Sequence, residues 1–196
     1  MRTPLAAALA IVALMGALPA RAGHSQERQG FWIGFGLGYG SANANCGGCG
    51  SSDREGSVTG YFKLGGTLSQ QVLLGVEGNA WTKEEGGGRV TLGNASLTLT
   101  FYPVATSGFF LKGGGGLSYV DTSFSGEGIT VSASKTGWGL LGGLGYDIRI
   151  GRNVSLTPCV NYYYGKVGDV SFADFGDVLP GFHHDVIDFA LGITFH

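Results

Sequence analysis

Charge is scarce in this chain. Asp, Glu, Lys and Arg make up 13% of its 196 residues, against roughly 25% in soluble domains. Basic residues are too few to point to nucleic acid: 12 Lys and Arg stand against 14 Asp and Glu, a formal net charge of −2. Long apolar runs are missing too. After the N-terminus no stretch approaches the ~20 apolar residues a transmembrane helix requires, which excludes a helical membrane protein. Cysteine is limited to Cys46, Cys49 and Cys159, with no second CxxC or paired histidine at the spacing of a zinc site. What the chain has instead is glycine, 38 residues, and aromatics at 12%; glycine in average proteins is about 7%. Little charge, much glycine, many aromatics and no long apolar run together point to β-structure with an apolar outside. The length suits one domain.

The first 22 residues read as a cleaved signal peptide. Arg2 supplies a positive start, Leu5 to Leu18 is small and apolar throughout, and Ala20-Arg21-Ala22 is a small-x-small cleavage pattern. Cleavage there starts the mature chain at Gly23, which is not the cysteine a lipid anchor needs. Losing Arg2 and Arg21 moves the formal charge from −2 to about −4. Residues 23–29 then form a short periplasmic segment and 30–196 the domain proper. In an exported chain the Cys46-x-x-Cys49 pair favours a local loop disulfide. Unpaired thiols and a redox or metal role are the other readings, and the βαβ setting of a thioredoxin-like site is absent. Cys159 is left over.

Alternation with period two is the main structural signal. It recurs in eight segments of about 10 to 14 residues, long enough for tilted strands to cross a bilayer, which takes roughly 9–11. Phe31, Ile33, Phe35, Leu37 and Tyr39 alternate with Trp32, Gly34, Gly36, Gly38 and Gly40. Leu97, Leu99 and Phe101 alternate with Thr98, Thr100 and Tyr102. The connections alternate as well. Long or medium ones (Asn43 to Glu55, Lys83 to Gly88, Thr122 to Ser134, Val167 to His184) exchange with short ones (Ser69 to Gln71, Pro103 to Ser107, Gly151 to Asn153). Outer-membrane barrels pair short periplasmic turns with longer external loops in this way. The fold expected is all-β: an eight-stranded antiparallel transmembrane up-and-down β-barrel with both termini in the periplasm.

With the greasy set facing lipid, the inward set is polar or tiny. It includes Tyr61, Lys63, Glu77, Asn79, Lys112, Asp147, Arg149, Tyr163 and Asp188, with glycines between. An eight-stranded barrel is just wide enough for side chains to fill it. The expectation is a plugged lumen in which Glu77, Asp147 and Asp188 pair with Lys63, Lys112 and Arg149, because an unpaired buried charge is costly. A proton or ion path, a narrow pore, is the alternative use of the same residues.

The chain resembles the small outer-membrane barrels of the OmpA-like and OmpX-like type, over nearly all of 30–196. The segments that carry the likeness are Gly75-Val76-Glu77-Gly78-Asn79-Ala80-Trp81, then Leu97-Thr98-Leu99-Thr100-Phe101-Tyr102-Pro103, and Phe110-Leu111-Lys112 followed by four glycines and Leu117-Ser118-Tyr119. The last strand, with Phe189, Leu191, Ile193 and Phe195, resembles the signal read by barrel-assembly machinery, although His196 follows the aromatic where many members stop. The resemblance implies an outer-membrane location, contact with outer-membrane lipid and lipopolysaccharide, and a role in envelope integrity, adhesion or host contact. It supplies no catalytic residues, and the peptidoglycan-binding domain of OmpA-type proteins is not expected here.

The leading functional expectation is therefore a non-enzymatic barrel that displays loops to an external ligand or host surface. No cofactor and no nucleic acid are implied. A lipid-modifying enzyme would need a nucleophile, a base and an orienting group. The candidates are Ser118 or Ser171, His183 or His184, and Asp185, and no motif links them. Asp169, Asp174, Asp177 and Asp185 are possible oxygen donors to a divalent cation, without the spacing of an EF-hand. Gly142-Gly143-Leu144-Gly145 lacks the helix a nucleotide loop requires. A soluble lipocalin-like carrier would use the same alternation with the faces reversed.

Overall fold

The structure is a computed structural model that describes residues 26–47, 53–126, 129–171 and 178–196. The expected signal peptide, Cys49, Asp174 and Asp177 lie outside the described residues. Each alternating segment forms a strand: β1 Phe31–Asn45, β2 Glu55–Ser69, β3 Val72–Glu85, β4 Gly88–Phe101, β5 Phe109–Gly126, β6 Ile129–Tyr146, β7 Val154–Ser171 and β8 Val178–Phe195. Ile148–Arg149 continues β6 past a break at Asp147. Every neighbouring pair is antiparallel. The sheet closes where β1 meets β8, from Ile33↔Phe195 to Asn45↔His183. The result is a closed eight-stranded barrel, the form in which a lipid-exposed sheet has no edge to satisfy.

Parity places the side chains as the alternation requires. Leu97, Leu140 and Leu191 face outward, 60%, 52% and 49% exposed. Between such positions Thr98, Lys112 and Glu77 are buried inside. This outward apolar face is the reverse of what a soluble carrier would present. The expected girdle aromatics divide by the same parity. Phe31, Tyr39 and Trp138 face out, whereas Trp32, Trp81, Tyr102 and Phe110 are buried in the lumen.

Two features differ from the sequence reading. First, the long outer connections are largely strand: β5 and β6 pair as far as Gly126↔Ile129, and β7 and β8 as far as Ser171↔Val178. Above the membrane both faces of a strand can be polar. The Ser/Thr-rich stretch after Thr122 therefore shows no hydrophobic alternation and reads as loop. Second, the lumen is not uniformly polar. An apolar layer near the periplasm includes Trp32, Tyr61, Leu73, Tyr102 and Phe110. Another near the outer end includes Trp81, Leu92, Val120, Leu141 and Val186. Inward positions above and below the charged middle are buried, so apolar side chains there are withdrawn from water, which is favourable.

Glycine opposite aromatic makes the inner packing possible. A Cβ on Gly75 would sit 2.6 Å from Cζ2 of Trp32, and one on Gly36 would sit 2.6 Å from Cε1 of Tyr61. The rings cross the lumen only because the facing walls are bare.

Candidate functional site

The lumen carries the chain's buried polar chemistry, stacked in three levels. At the centre, Lys112 on β5 places Nζ 2.6 and 2.7 Å from the two carboxylate oxygens of Glu77 on β3. Both side chains are essentially solvent-free. Asp188 on β8 accepts from Nδ2 of Asn161 at 2.7 Å. Lys63 is arranged differently from expectation. Its ammonium lies 5.4 to 5.9 Å from the ring centres of Phe110, Tyr61 and Trp32. Among the described residues no carboxylate comes within ion-pair distance of it. Ring faces attract a cation, so the aromatic layer supports this lysine in place of an acid.

At the periplasmic level Asp147 sits where β6 breaks. Its carboxylate accepts from the Tyr102 hydroxyl at 2.6 Å and the Thr157 hydroxyl at 2.7 Å. His196 Nε2 approaches it at 3.4 Å. Among the described residues no acid forms an ion pair with Arg149; its Nη2 donates to the Glu27 carbonyl at 2.8 Å. Of the three pairings expected in the lumen, Glu77 with Lys112 is the one formed. Asp147 and Asp188 instead use hydroxyl and amide donors, because those stand at their heights in the barrel.

At the outer level Ser118 and His184 come together. Ser118 Oγ is 3.4 Å from His184 Nε2, 3.1 Å from the Gly93 carbonyl and 3.2 Å from Asn94 Oδ1. Among the described residues this is the one element of the acyl-transfer constellation that comes together. Asp185 does not orient the histidine: it faces outward and takes Nη1 of Arg54 at 2.6 Å. His184 Nδ1 has no hydrogen-bond partner, and Ser118 is fully buried. His183 turns away, its Nδ1 3.2 Å from the Gly181 carbonyl. Asp169 accepts from the Gly181 amide at 2.8 Å. Among the described residues no group of three or more His, Cys, Asp or Glu could hold a metal. Gly142 to Gly145 is ordinary strand within β6.

Cys46 is disulfide-bonded, with its expected partner outside the described residues; Cys159 is a free, buried thiol in the lower lumen. On β8, Phe189, Leu191 and Phe195 face outward along the closing seam, and Phe195 packs against Phe35 at 6.4 Å between ring centres. Outside the membrane, at the outer end of β3, Lys83 sits between Glu55 of β2 and Glu85, at 2.8 and 2.6 Å. Glu55 first, then Glu85, pushes the lysine up to about 12, and the lysine in turn holds Glu85 below the ordinary carboxylate range.

Sequence reasoning missed Arg28. It lies in a polar stretch with no periodicity, yet it is buried and hydrogen-bonded across the periplasmic end. Leu92 and Val120 were equally hidden, because an apolar residue at an inward position looks like noise in the alternation.

A closed barrel with lipid-facing greasy walls, girdle aromatics and a side-chain-filled lumen defines a small outer-membrane barrel protein. The chain belongs to the outer membrane protein beta-barrel domain family, whose model matches residues 10–195. Solved structures agree in fold. Neisserial surface protein A is 17% identical with a TM-score of 0.55, over 86% of this chain and 98% of that one. Ail, the attachment invasion locus protein of Yersinia pestis, is 17% identical with a TM-score of 0.56, over 85% and 99%. No curated protein matches the chain by sequence.

Proposed function

We propose that the chain is a non-enzymatic outer-membrane barrel, delivered through a cleaved signal peptide and inserted by barrel-assembly machinery, that displays a rigid outer rim to an external ligand or surface. The observation that carries this reading is the pairing of β5 with β6, and of β7 with β8, well beyond the girdle residue Trp138. Strand hairpins that continue past the membrane hold polar side chains in fixed positions, which suits binding. The filled lumen supports the same reading, since a lumen packed with side chains conducts poorly. Lipopolysaccharide is the expected neighbour of the outer rim.

The Ser118–His184 contact gives a second reading, an acyl hydrolase, some support. Against it stand the missing orienting group and the burial of the nucleophile. Purified protein, tested on a chromogenic ester analogue of a lipid, should show no steady turnover, and planar bilayers containing it should show no stable open-channel current. Turnover abolished by His184→Ala would replace the proposal with the enzyme, and a sustained current would replace the closed barrel with a pore.

A further inference from the structure

The five residues before β1, Gln26-Glu27-Arg28-Gln29-Gly30, run beneath the periplasmic end of the barrel and are tied to the turns after β2 and β4 and to the end of β6. Arg28 is 1% exposed. Its Nη1 donates to the Gln70 and Ala105 carbonyls at 3.3 and 3.0 Å, and its Nη2 to the Ser107 carbonyl at 2.7 Å and Gln26 Oε1 at 3.3 Å. The guanidinium lies 3.5 Å from the centre of the Tyr102 ring. The Arg28 backbone is clasped on both sides by the Gln70 amide, at 3.0 and 2.9 Å. Gln26 Nε2 reaches the Asp147 carbonyl at 3.0 Å.

That last contact falls on a gap in the wall. Pro158 has no N–H to give, and the ladder between β6 and β7 stops at Gly145↔Cys159 and resumes at Ile148↔Leu156. Between these points the Asp147 amide turns to the Gly108 carbonyl at 2.9 Å. The segment thus covers both the mouth of the lumen and an interruption in its ladder.

The way it is held differs from the way the strands are held. No residue of the segment has an apolar side chain, and beside the Tyr102 ring its partners are turn carbonyls and amides, the Thr67 amide at the end of β2 and the Arg149 guanidinium, all at the periplasmic end. Water can replace each of these hydrogen bonds at small net cost. The barrel wall, by contrast, has no such substitute in lipid. We propose that Gln26–Gly30 is a latch: docked, it shuts the periplasmic mouth, and released, it admits water and small solutes to the lower lumen while the wall stays folded. This goes beyond the surface-display reading and does not depend on it.

Cys159 is a built-in reporter. It is 2% exposed and sits in the aromatic layer directly above the latch, with Tyr102 and Phe110. The test is alkylation by iodoacetamide of the whole mature protein in lipid vesicles, quantified by mass spectrometry on the peptide that holds Cys159. Folding is followed in parallel by the migration of unboiled samples. Arg28→Ala should speed labelling at least about tenfold, the effect of losing about 1.4 kcal/mol of local closure. Gln70→Ala, which removes only the backbone clasp, should speed it less. Unchanged labelling in folded Arg28→Ala barrels overturns the latch, as does faster labelling confined to the unfolded fraction. Should Arg28→Ala fail to fold, Gln70→Ala decides alone, and no acceleration there rejects the proposal.

Discussion

A lysine ammonium in the middle of a barrel has few ways to be stable. Lys112 is met by both oxygens of Glu77, with the two side chains out of water. Removing one partner of such a pair strands the other charge, at a cost of about 3–5 kcal/mol, whereas replacing both with apolar groups is often close to neutral. Lys112→Met should therefore lower the stability of the vesicle-bound barrel in urea by about that amount, and Glu77→Leu/Lys112→Met should recover most of it. Equal losses in the single and double variants would show that the two charges are not coupled. Period two was enough to put Glu77 and Lys112 inside. It was not enough to pair them. Along the ladder Glu77 faces Lys63 and Ser96, while Lys112 faces Thr100 and Gly143. Their meeting across the lumen depends on the stagger of the strands, which no single segment records, and so Lys63, although opposite Glu77 in register, ends among aromatic rings.

At the scale of elements, the clearest signals came from segments that touch lipid. There one face must be apolar, and the alternation is visible. It fades where strands leave the membrane, which is why the third and fourth outer connections read as loops. The connection between β3 and β4, expected to span Lys83 to Gly88, is likewise shortened by strand, here to a two-residue turn. Glu85 pairs with Gly88 around Gly86 and Gly87, whose φ angles are +57° and +82°. A two-residue hairpin turn with both central residues left-handed matches the twist of the strands. A side chain at the second position is strained there, so Gly87→Ala should destabilise this hairpin by about 1 kcal/mol. Asn in place of Gly86, a residue that tolerates the left-handed region, should cost much less. Amide hydrogen exchange along β3 and β4 would measure both; equal protection in Gly87→Ala and the parent would contradict the turn assignment.

For the molecule as a whole, the decisive property is which medium each face meets. The closed sheet satisfies its backbone, and the outward side chains decide whether that closure sits in lipid or in water. Leu97 is outward on β4, four residues in from its periplasmic end at Phe101, between Val76 and Gly115. Val104 is exposed in the turn after β4, at the periplasmic surface. In a bilayer, an arginine on the outer face costs about 2–4 kcal/mol near the midplane and about 0–1 kcal/mol near the interface. Leu97→Arg should thus be far more damaging than Val104→Arg when both are unfolded from vesicles. In a soluble barrel neither outward position would meet hydrocarbon, and both variants would be nearly silent. The contrast between these two substitutions reads the surrounding medium directly, because backbone, ladder and lumen are the same in each.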